Sequence, residues 1–384
     1  MNLRRVWAVA HKEWREIVRD RVYFLLAFIL PPVLMLVFGY GVTQEVENVP
    51  FALIDEDRSA LSRDYAHHYI SSRYFDYRGQ LTGLRDADRQ LADGRIVVVL
   101  VIPARFGEEL TAGRRVVIQT LIDGTFTARG RTVLGYVESI NAAAAGDLQA
   151  RAVMRRLGIG PAQAEVLLQP VRVEVRYLYN QELKSIWGVA PAMIMFILIL
   201  TAPLLAALSV VREKETGAIY NVYASTISRA EYLAGKLAPS VLISFLNGMV
   251  LWLMAIWYFD APFKGSLAFF LPATFVYVVC TSALGLLVSA VARTQQAALM
   301  ISVILAVVIA LSFSGMITPV SSLTGASHLL AQLLPAMYYH DLVLGAFLKG
   351  VGWRVLGWEV AVLAGFAALM LWATWALFRK RTRQ

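Results

Sequence analysis

Six stretches of this chain carry no charge over lengths that only a membrane demands. Uncharged runs occupy Val22–Gln44, Ser185–Val211, Leu237–Phe259, Gly265–Ala292 and Val360–Phe378, and a longer one extends from Thr294 to His340, broken only by His328. A spanning helix needs roughly 20 apolar residues. Within a hydrocarbon layer the backbone must satisfy its own polar groups, which leaves helices as the form for runs of this length. Each of the first five runs supplies one span and the long run supplies another, with a fifth span expected from about Ala297 to Ile317. Composition agrees: 58% of residues are apolar and 16% charged, against about 45–50% and 25% in soluble domains.

The net charge of +9 invites a nucleic-acid reading until its distribution is drawn. Residues 1–21 hold six Lys/Arg against three Asp/Glu, and the tail adds Arg379, Lys380, Arg381 and Arg383. Arg212, Lys214, Arg229 and Lys236 exceed the acids of segment 211–236 by one, and Arg293 stands alone between two spans. The surplus thus falls on alternate loops. That is the pattern of a six-span protein with both termini in the cytosol, and it excludes a nucleic-acid footprint. Segment 45–184 has eighteen charges of each sign and casts no vote, because long loops translocate regardless of charge. Cys280 is the single cysteine, so no intrachain disulfide can form.

Taken in order, residues 1–21 form an amphipathic helix. Leu3, Trp7, Ala10, Trp14 and Ile17 share one face, as expected of a helix in the inner membrane interface. Pro31 and Pro32 should kink span one, at 22–44. Residues 45–184 read as a separate domain on the outer side, with strands at Pro50–Ile54, Ile96–Ile102, Val116–Ile122 and Val171–Tyr179. Helices are expected over Ser59–Ser72, Gly83–Ala92, Ala104–Ala112 and Phe126–Leu157. The alternation implies a small α/β or α+β layer. Asp55-Glu56-Asp57 is a strand-to-helix turn rather than a metal centre, since no further ligand set accompanies it. His67 and His68, one residue apart, face different sides of a helix. Residues 185–384 carry the other five spans. Between the last two, segment 318–352 is apolar yet interrupted by Pro319, Gly325, Pro335, Gly345 and Gly350. It suggests two half-helices, near Leu323–Leu334 and Met337–Leu348, that dip back from the outer surface.

Absences narrow the function. No G-x-x-x-x-G-K-[ST] occurs, so ATP hydrolysis is not expected of this chain. The first four spans and the sixth, as bounded above, contain no Asp, Glu, Lys, Arg or His, which weakens an ion-coupled carrier. No nucleophilic triad, zincin or paired-carboxylate arrangement is visible, and no metal site is expected. What remains is the charged island 211–236. Arg212-Glu213-Lys214-Glu215 ends the second span, Gly217 permits a sharp turn, and Ala218–Ala224 can present Ile219, Tyr220, Val222 and Tyr223. Ser228 and Glu231 complete a capping box for the next helix. A short helix of tyrosines and aliphatics held between two spans is suited to a partner's pocket.

Arg212-Glu213-Lys214-Glu215-Thr216-Gly217 resembles the E-x-x-x-G element of type 2 ATP-binding-cassette (ABC-2) transporter permeases. Ser225-Thr226-Ile227-Ser228-Arg229 with Gly235-Lys236 is similar to that family's S-P-[IV]-S-R … G-K stretch, departing at Thr226. His11-Lys12-Glu13-Trp14 through Arg19-Asp20 resembles its K-E … R-D connecting helix, and Ser314-Gly315-Met316 through Leu334-Pro335 its S-G … L-P segment. The resemblance covers essentially the whole chain, and the large outer domain resembles the drug-efflux subgroup. It implies a polytopic α-helical membrane protein of six transmembrane helices, with a periplasmic α/β (α+β) domain inserted between helices 1 and 2.

The implied role is a permease subunit of the bacterial inner membrane, exporting hydrophobic or amphipathic small molecules. It would pair as a homodimer or heterodimer, with cytosolic ATPase subunits that bind the ATP and Mg, no cofactor on this chain, and a periplasmic membrane-fusion adaptor. ATPase coupling would fall to Arg212, Glu213, Glu215, Gly217, Ile219, Tyr220, Tyr223, Ser228 and Arg229. The connecting helix would contribute Lys12, Glu13, Trp14, Arg19 and Asp20, and an outer gate Gly315, Met316, Pro319, Leu334 and Pro335. An ion-coupled carrier or channel, a sensor or assembly scaffold, and an exporter of lipid or polymer remain as alternatives. A neighbouring gene with a Walker motif would favour the ATP-driven readings.

Overall fold

A computed structural model describes residues 1–41, 48–125, 127–158, 160, 163, 178–181 and 184–378, leaving aside the side chains at 127, 128, 152, 153, 155, 156 and 223. The chain divides into two compact units, Gln44–Arg176 and the remainder, Met1–Thr43 with Tyr177–Gln384. The second of these opens with helix α1 (Leu3–Arg19), capped by the Asn2 side chain. Span one follows as α2 (Arg21–Gly41). The two prolines give it a wide π-type turn over Leu25–Ile29. Pro31 has no N–H to bond the carbonyl four residues back, and that carbonyl, on Ala27, instead accepts from Asn247 Nδ2 at 2.7 Å.

In the unit Gln44–Arg176, strands and helices alternate: β1 (Val49–Asp55), α3 (Ala60–Ile70), β2 (Phe75–Gln80), α4 (Leu84–Ala92), β3 (Val98–Ile102), α5 (Phe106–Thr111), β4 (Gln119–Ile122) and α6 (Thr127–Leu157). The sheet order is β2-β1-β3-β4. β1 pairs parallel with β2 and β3, and β4 closes antiparallel on β3. The two central strands are covered on both faces, which is why they read as unbroken apolar runs. Phe51 and Leu53 join Tyr65, Tyr69 and Phe106 on one face, while Ala52 and Ile54 meet Ala87 on the other.

Sequence reasoning missed β2. Its residues, Phe-Asp-Tyr-Arg-Gly-Gln, form an edge strand with one buried side chain, Phe75, so almost no alternation marks it. The expected strand Val171–Tyr179 falls almost wholly outside the described residues. The acidic turn has a structural occupation. Asp55 accepts from Asp57 N, Arg58 N and Ser62 Oγ, and Asp57 accepts from Gly107 N at 3.0 Å.

The other unit continues with α7 (Ser185–Glu215), α8 (Ile219–Ala224), α9 (Arg229–Trp257), α10 (Leu267–Val291), α11 (Gln295–Phe313), α12 (Ala326–Gln332), α13 (Pro335–Leu344) and α14 (Trp353–Leu377). Six helices among the described residues are long and apolar enough to cross a membrane: α2, α7, α9, α10, α11 and α14. Span two, α7, is apolar all round, as a membrane span can be, and its most apolar stretch is entirely buried against α9, α10, α11, α2 and α13. α10 reaches it closely because Gly285 lacks a side chain: a Cβ there would lie 2.1 Å from the Pro203 carbonyl oxygen. Two short helices, α12 and α13, occupy the interrupted segment. Pro335 opens α13 at a position where its missing N–H does no harm.

Candidate functional site

The island's helices extend past the apolar runs, and the charges at their ends are drawn into the protein. α7 runs to Glu215 and α9 starts at Arg229, so Glu213 and Lys236 lie inside helices. The helices of spans two and three thus carry charge just beyond the uncharged runs 185–211 and 237–259, and some of it is buried: Lys236 is 0% exposed, as is Glu13 of α1. Sequence runs alone could not show this, because the helix ladder ignores charge as long as each charged group finds a partner.

Lys236 Nζ sits between the carboxylates of Glu13 and Glu213, the latter at 3.0 Å, and also donates to Ser209 O at 2.7 Å. Its three donors are thus occupied. Glu213 accepts in turn from Lys12 and from Tyr232 OH, the latter at 2.6 Å. Tyr23 OH donates to Leu205 O at 2.8 Å and lies 3.3 Å from Glu13. Lys12 also lies 3.3 Å from Glu16, so two ammonium groups are shared among three carboxylates. Burial holds the Glu13 carboxyl above its ordinary range, with Lys236 pulling the other way. Glu13, Glu16 and Glu213 bring three carboxylates together, and Lys12 and Lys236 already supply the positive charge among them.

Residues 212–215 turn about 100° each around α7, so each reaches a different neighbour. Arg212 pairs with Asp20 at 2.7 Å, and Glu213 takes the α1 lysine. Lys214 donates to the Ser289 carbonyl at the end of α10, where cations suit exposed carbonyls. Glu215 accepts from Gln295 Nε2 at 2.6 Å at the start of α11. Asp20 also caps α2 by accepting from Val22 N and Tyr23 N. The Tyr23 N–H, and after it Arg212, keeps the Asp20 carboxyl below the ordinary range.

Beyond Thr216, Gly217 takes φ +75°, a left-handed turn natural to glycine. α8 follows, but it does not present all of its apolar residues outward. Ile219 is 4% exposed and packs with Val9, Val210, Tyr232 and Phe378, whereas Tyr220 is 60% exposed. The Tyr223 side chain lies outside the described residues. Ser228 and Glu231 form the capping box. Arg229 is exposed beside them. Glu231 further accepts from Asn2 N at 2.6 Å, and Arg5 donates to Thr226 O at 2.8 Å, so the start of α1 is fastened to the bend.

α1 turns Val9, Glu13 and Ile17 inward. Ile17, grouped by spacing with Leu3 and Trp7, faces the bundle instead, while Leu3, Trp7, Trp14 and Arg19 are exposed. Gly235 admits this contact, since a Cβ there would lie 2.6 Å from Val9 Cβ. Sequence reasoning left out Tyr23 and Tyr232, and it named Glu13, Glu213 and Lys236 without bringing them together. The available signal was Lys236, the one charge in the largely apolar stretch 232–240 of α9.

At the far segment, Gly315 takes φ +93° and lies against His340 of α13. Met316 and Leu334 pack on the main core, and Pro319 precedes a 3-10 turn over Val320–Ser322. α13 is fixed by Tyr339, stacked on Tyr277 at 3.9 Å with its hydroxyl 2.9 Å from Thr274 Oγ1.

A helical unit of six candidate spans, with a charged bend bound to an amphipathic N-terminal helix, defines a class of membrane permeases. A family profile described as "ABC-2 family transporter protein" matches residues 22–376, and the chain belongs to that family. It is 27% identical over 382 residues to "Probable multidrug ABC transporter permease YbhS" of Escherichia coli K12, covering 99% of this chain and 98% of that one. To "Probable multidrug ABC transporter permease YbhR" of the same organism it is 24% identical over 386 residues, covering 98% and 99%. It is also 22% identical to "ABC transporter G family member 20" of Dictyostelium discoideum, over 97% of this chain and 49% of that protein.

Proposed function

We propose that this chain is the membrane subunit of an ATP-driven exporter that moves hydrophobic or amphipathic, drug-like molecules out across a bacterial inner membrane. The observation that carries this reading is the four-way tie of Arg212–Glu215 to α1, α2, α10 and α11. A push on the adjoining bend would be delivered to four elements at once. Relatives matched end to end and named as multidrug permeases support the cargo class.

In this reading the bend faces the cytosol and receives a separate ATPase subunit, which supplies ATP hydrolysis with Mg. Tyr220, with Tyr223 and Arg229, makes the contact. Gly217, Ile219 and Ser228 hold the bend's shape, and Arg212, Glu213 and Glu215, together with Lys12, Glu13 and Asp20, pass on the displacement. Trp14 and Arg19 anchor α1 at the membrane surface. A second copy or a related permease completes the pathway, and Gly315, Met316, Pro319, Leu334 and Pro335 shape its outer gate. The unit Gln44–Arg176 lies in the periplasm and meets an adaptor of the membrane-fusion type.

The test is co-purification with the partner ATPase subunit. Tyr220→Ala with Tyr223→Ala should reduce ATPase recovery about tenfold, the loss typical of an interface anchor, while the permease stays in the membrane. Full recovery together with unchanged export of a lipophilic dye would refute the docking role.

A further inference from the structure

The unit Gln44–Arg176 contains a cavity of about 750 Å³ between α3, α5, α6 and the loop before β4. That volume lies in the range of small-molecule sites, which are mostly apolar with a few placed polar groups. Its apolar lining includes Tyr65, Phe106, Leu110 and Leu148, and the Tyr65 and Phe106 rings meet edge to face at 5.9 Å. Its charged lining is of one kind, arginine, with Asn141, Gln149 and Thr111 as the neutral polar groups. Asn141 Oδ1 accepts from both Tyr65 OH, at 2.6 Å, and Tyr69 OH. Both acceptor positions of that oxygen are filled, which leaves its Nδ2 as a donor with no hydrogen-bond partner among the described residues. Arg114 and Arg115 line the same cavity, and neither is ion-paired among the described residues. Arg151, also on the wall, is neutralised by Asp64 at 2.8 Å. The cavity therefore offers donors and positive charge above an aromatic floor, and among the described residues no carboxylate lines it.

We infer that this cavity binds a small amphipathic organic anion: a planar apolar body with a carboxylate or sulfonate head. The body lies against Tyr65 and Phe106. The head takes the Asn141 Nδ2 donor and the guanidinium forks of Arg114 and Arg115, whose geometry suits two-oxygen anions. This site is separate from the charged bend. It depends neither on the cargo nor on the side of the membrane the unit occupies, so its failure would leave the coupling proposal standing.

The whole chain in lipid nanodiscs is titrated with naphthalene-2-sulfonate, followed by saturation-transfer NMR and calorimetry. The matched probes are naphthalene-2-methanol and a naphthylmethyl-trimethylammonium salt. The expected result is saturable binding of one sulfonate per chain with Kd below about 1 mM, about tenfold weaker binding of the alcohol, and none of the cation. Arg114→Gln with Arg115→Gln, both on the surface and outside the core, should weaken the sulfonate about tenfold. Leu148→Trp should block it by filling the floor. Equal binding of the three probes, non-saturable uptake, or sulfonate binding unaffected by the paired arginine change would each overturn the inference. So would a peptide of a partner protein found seated in the cavity.

Discussion

Lys236 and Glu13 lie 223 positions apart and meet with neither side chain exposed. Removing one member of such a pair leaves an uncompensated buried charge, a loss of about 3–5 kcal/mol, whereas replacing both by apolar side chains of similar size is often neutral. Lys236→Met alone is therefore expected to lower the melting temperature in detergent sharply, and Glu13→Leu with Lys236→Met to restore most of it. If the pair transmits the push from the bend, the double variant will fold yet fail to couple ATP hydrolysis to export. A wild-type melt for Lys236→Met would contradict the burial of the pair.

A second residue-scale expectation concerns Asp57. The Ser59 hydroxyl, and with it the Gly107 N–H, hold its carboxyl below the ordinary value of 3.8. A depressed folded pKa stabilises the unit above that value, and the contribution is lost as pH falls through it and below. Hydrogen-exchange protection factors in α3 and α5, corrected for the intrinsic rate at each pH, should fall on acidification below about pH 4, and Asp57→Asn should flatten that dependence.

At the scale of elements, small residues set how closely helices approach. A Cβ on Gly285 would lie 2.1 Å from Pro203 O, whereas one on Gly357 of α14 meets nothing within 4 Å. Gly285→Ala should separate α10 from α7 and destabilise by about 1–3 kcal/mol or more. Gly357→Ala should be neutral or stabilising by up to about 1 kcal/mol, the helix propensity difference. Thermal melts of the two variants compare them directly; equal melts would mean that α10 does not pack on α7 as described. Sequence reasoning reached several of these elements well. The capping box at Ser228 and Glu231, the turn at Gly217 and the two short helices on either side of Leu334 are written in local chemistry. It did not reach β2, whose edge position removes the alternation a strand normally shows, nor the π-type turn of α2. Two prolines announce a break in that helix, but the geometry of the break was settled by Asn247 of another helix.

For the whole molecule, the distribution of Lys and Arg makes a topological prediction. Cys280 is buried, so engineered cysteines can be read against a quiet background. Tyr220→Cys should react with a membrane-impermeant maleimide only from the cytosolic side, and Arg89→Cys only from the opposite side. Labelling of both from one side would overturn the proposed orientation and, with it, the reading of the bend as the ATPase contact.

The sequence by itself determined the number of spans, their approximate limits and the presence of a mixed strand–helix insertion. These follow from apolar length, proline and glycine placement and period, which are properties of contiguous residues. Tertiary structure alone decided which neighbour each of Arg212, Glu213, Lys214 and Glu215 would hold, that Ile219 would turn inward while Tyr220 stayed out, and that Lys236 would be buried rather than solvated. The physical reason is that a charge can enter an apolar interior only where opposite charge and hydrogen-bond partners already wait. Those partners come from α1, α2, α10 and α11, whose positions no local pattern in segment 211–236 encodes.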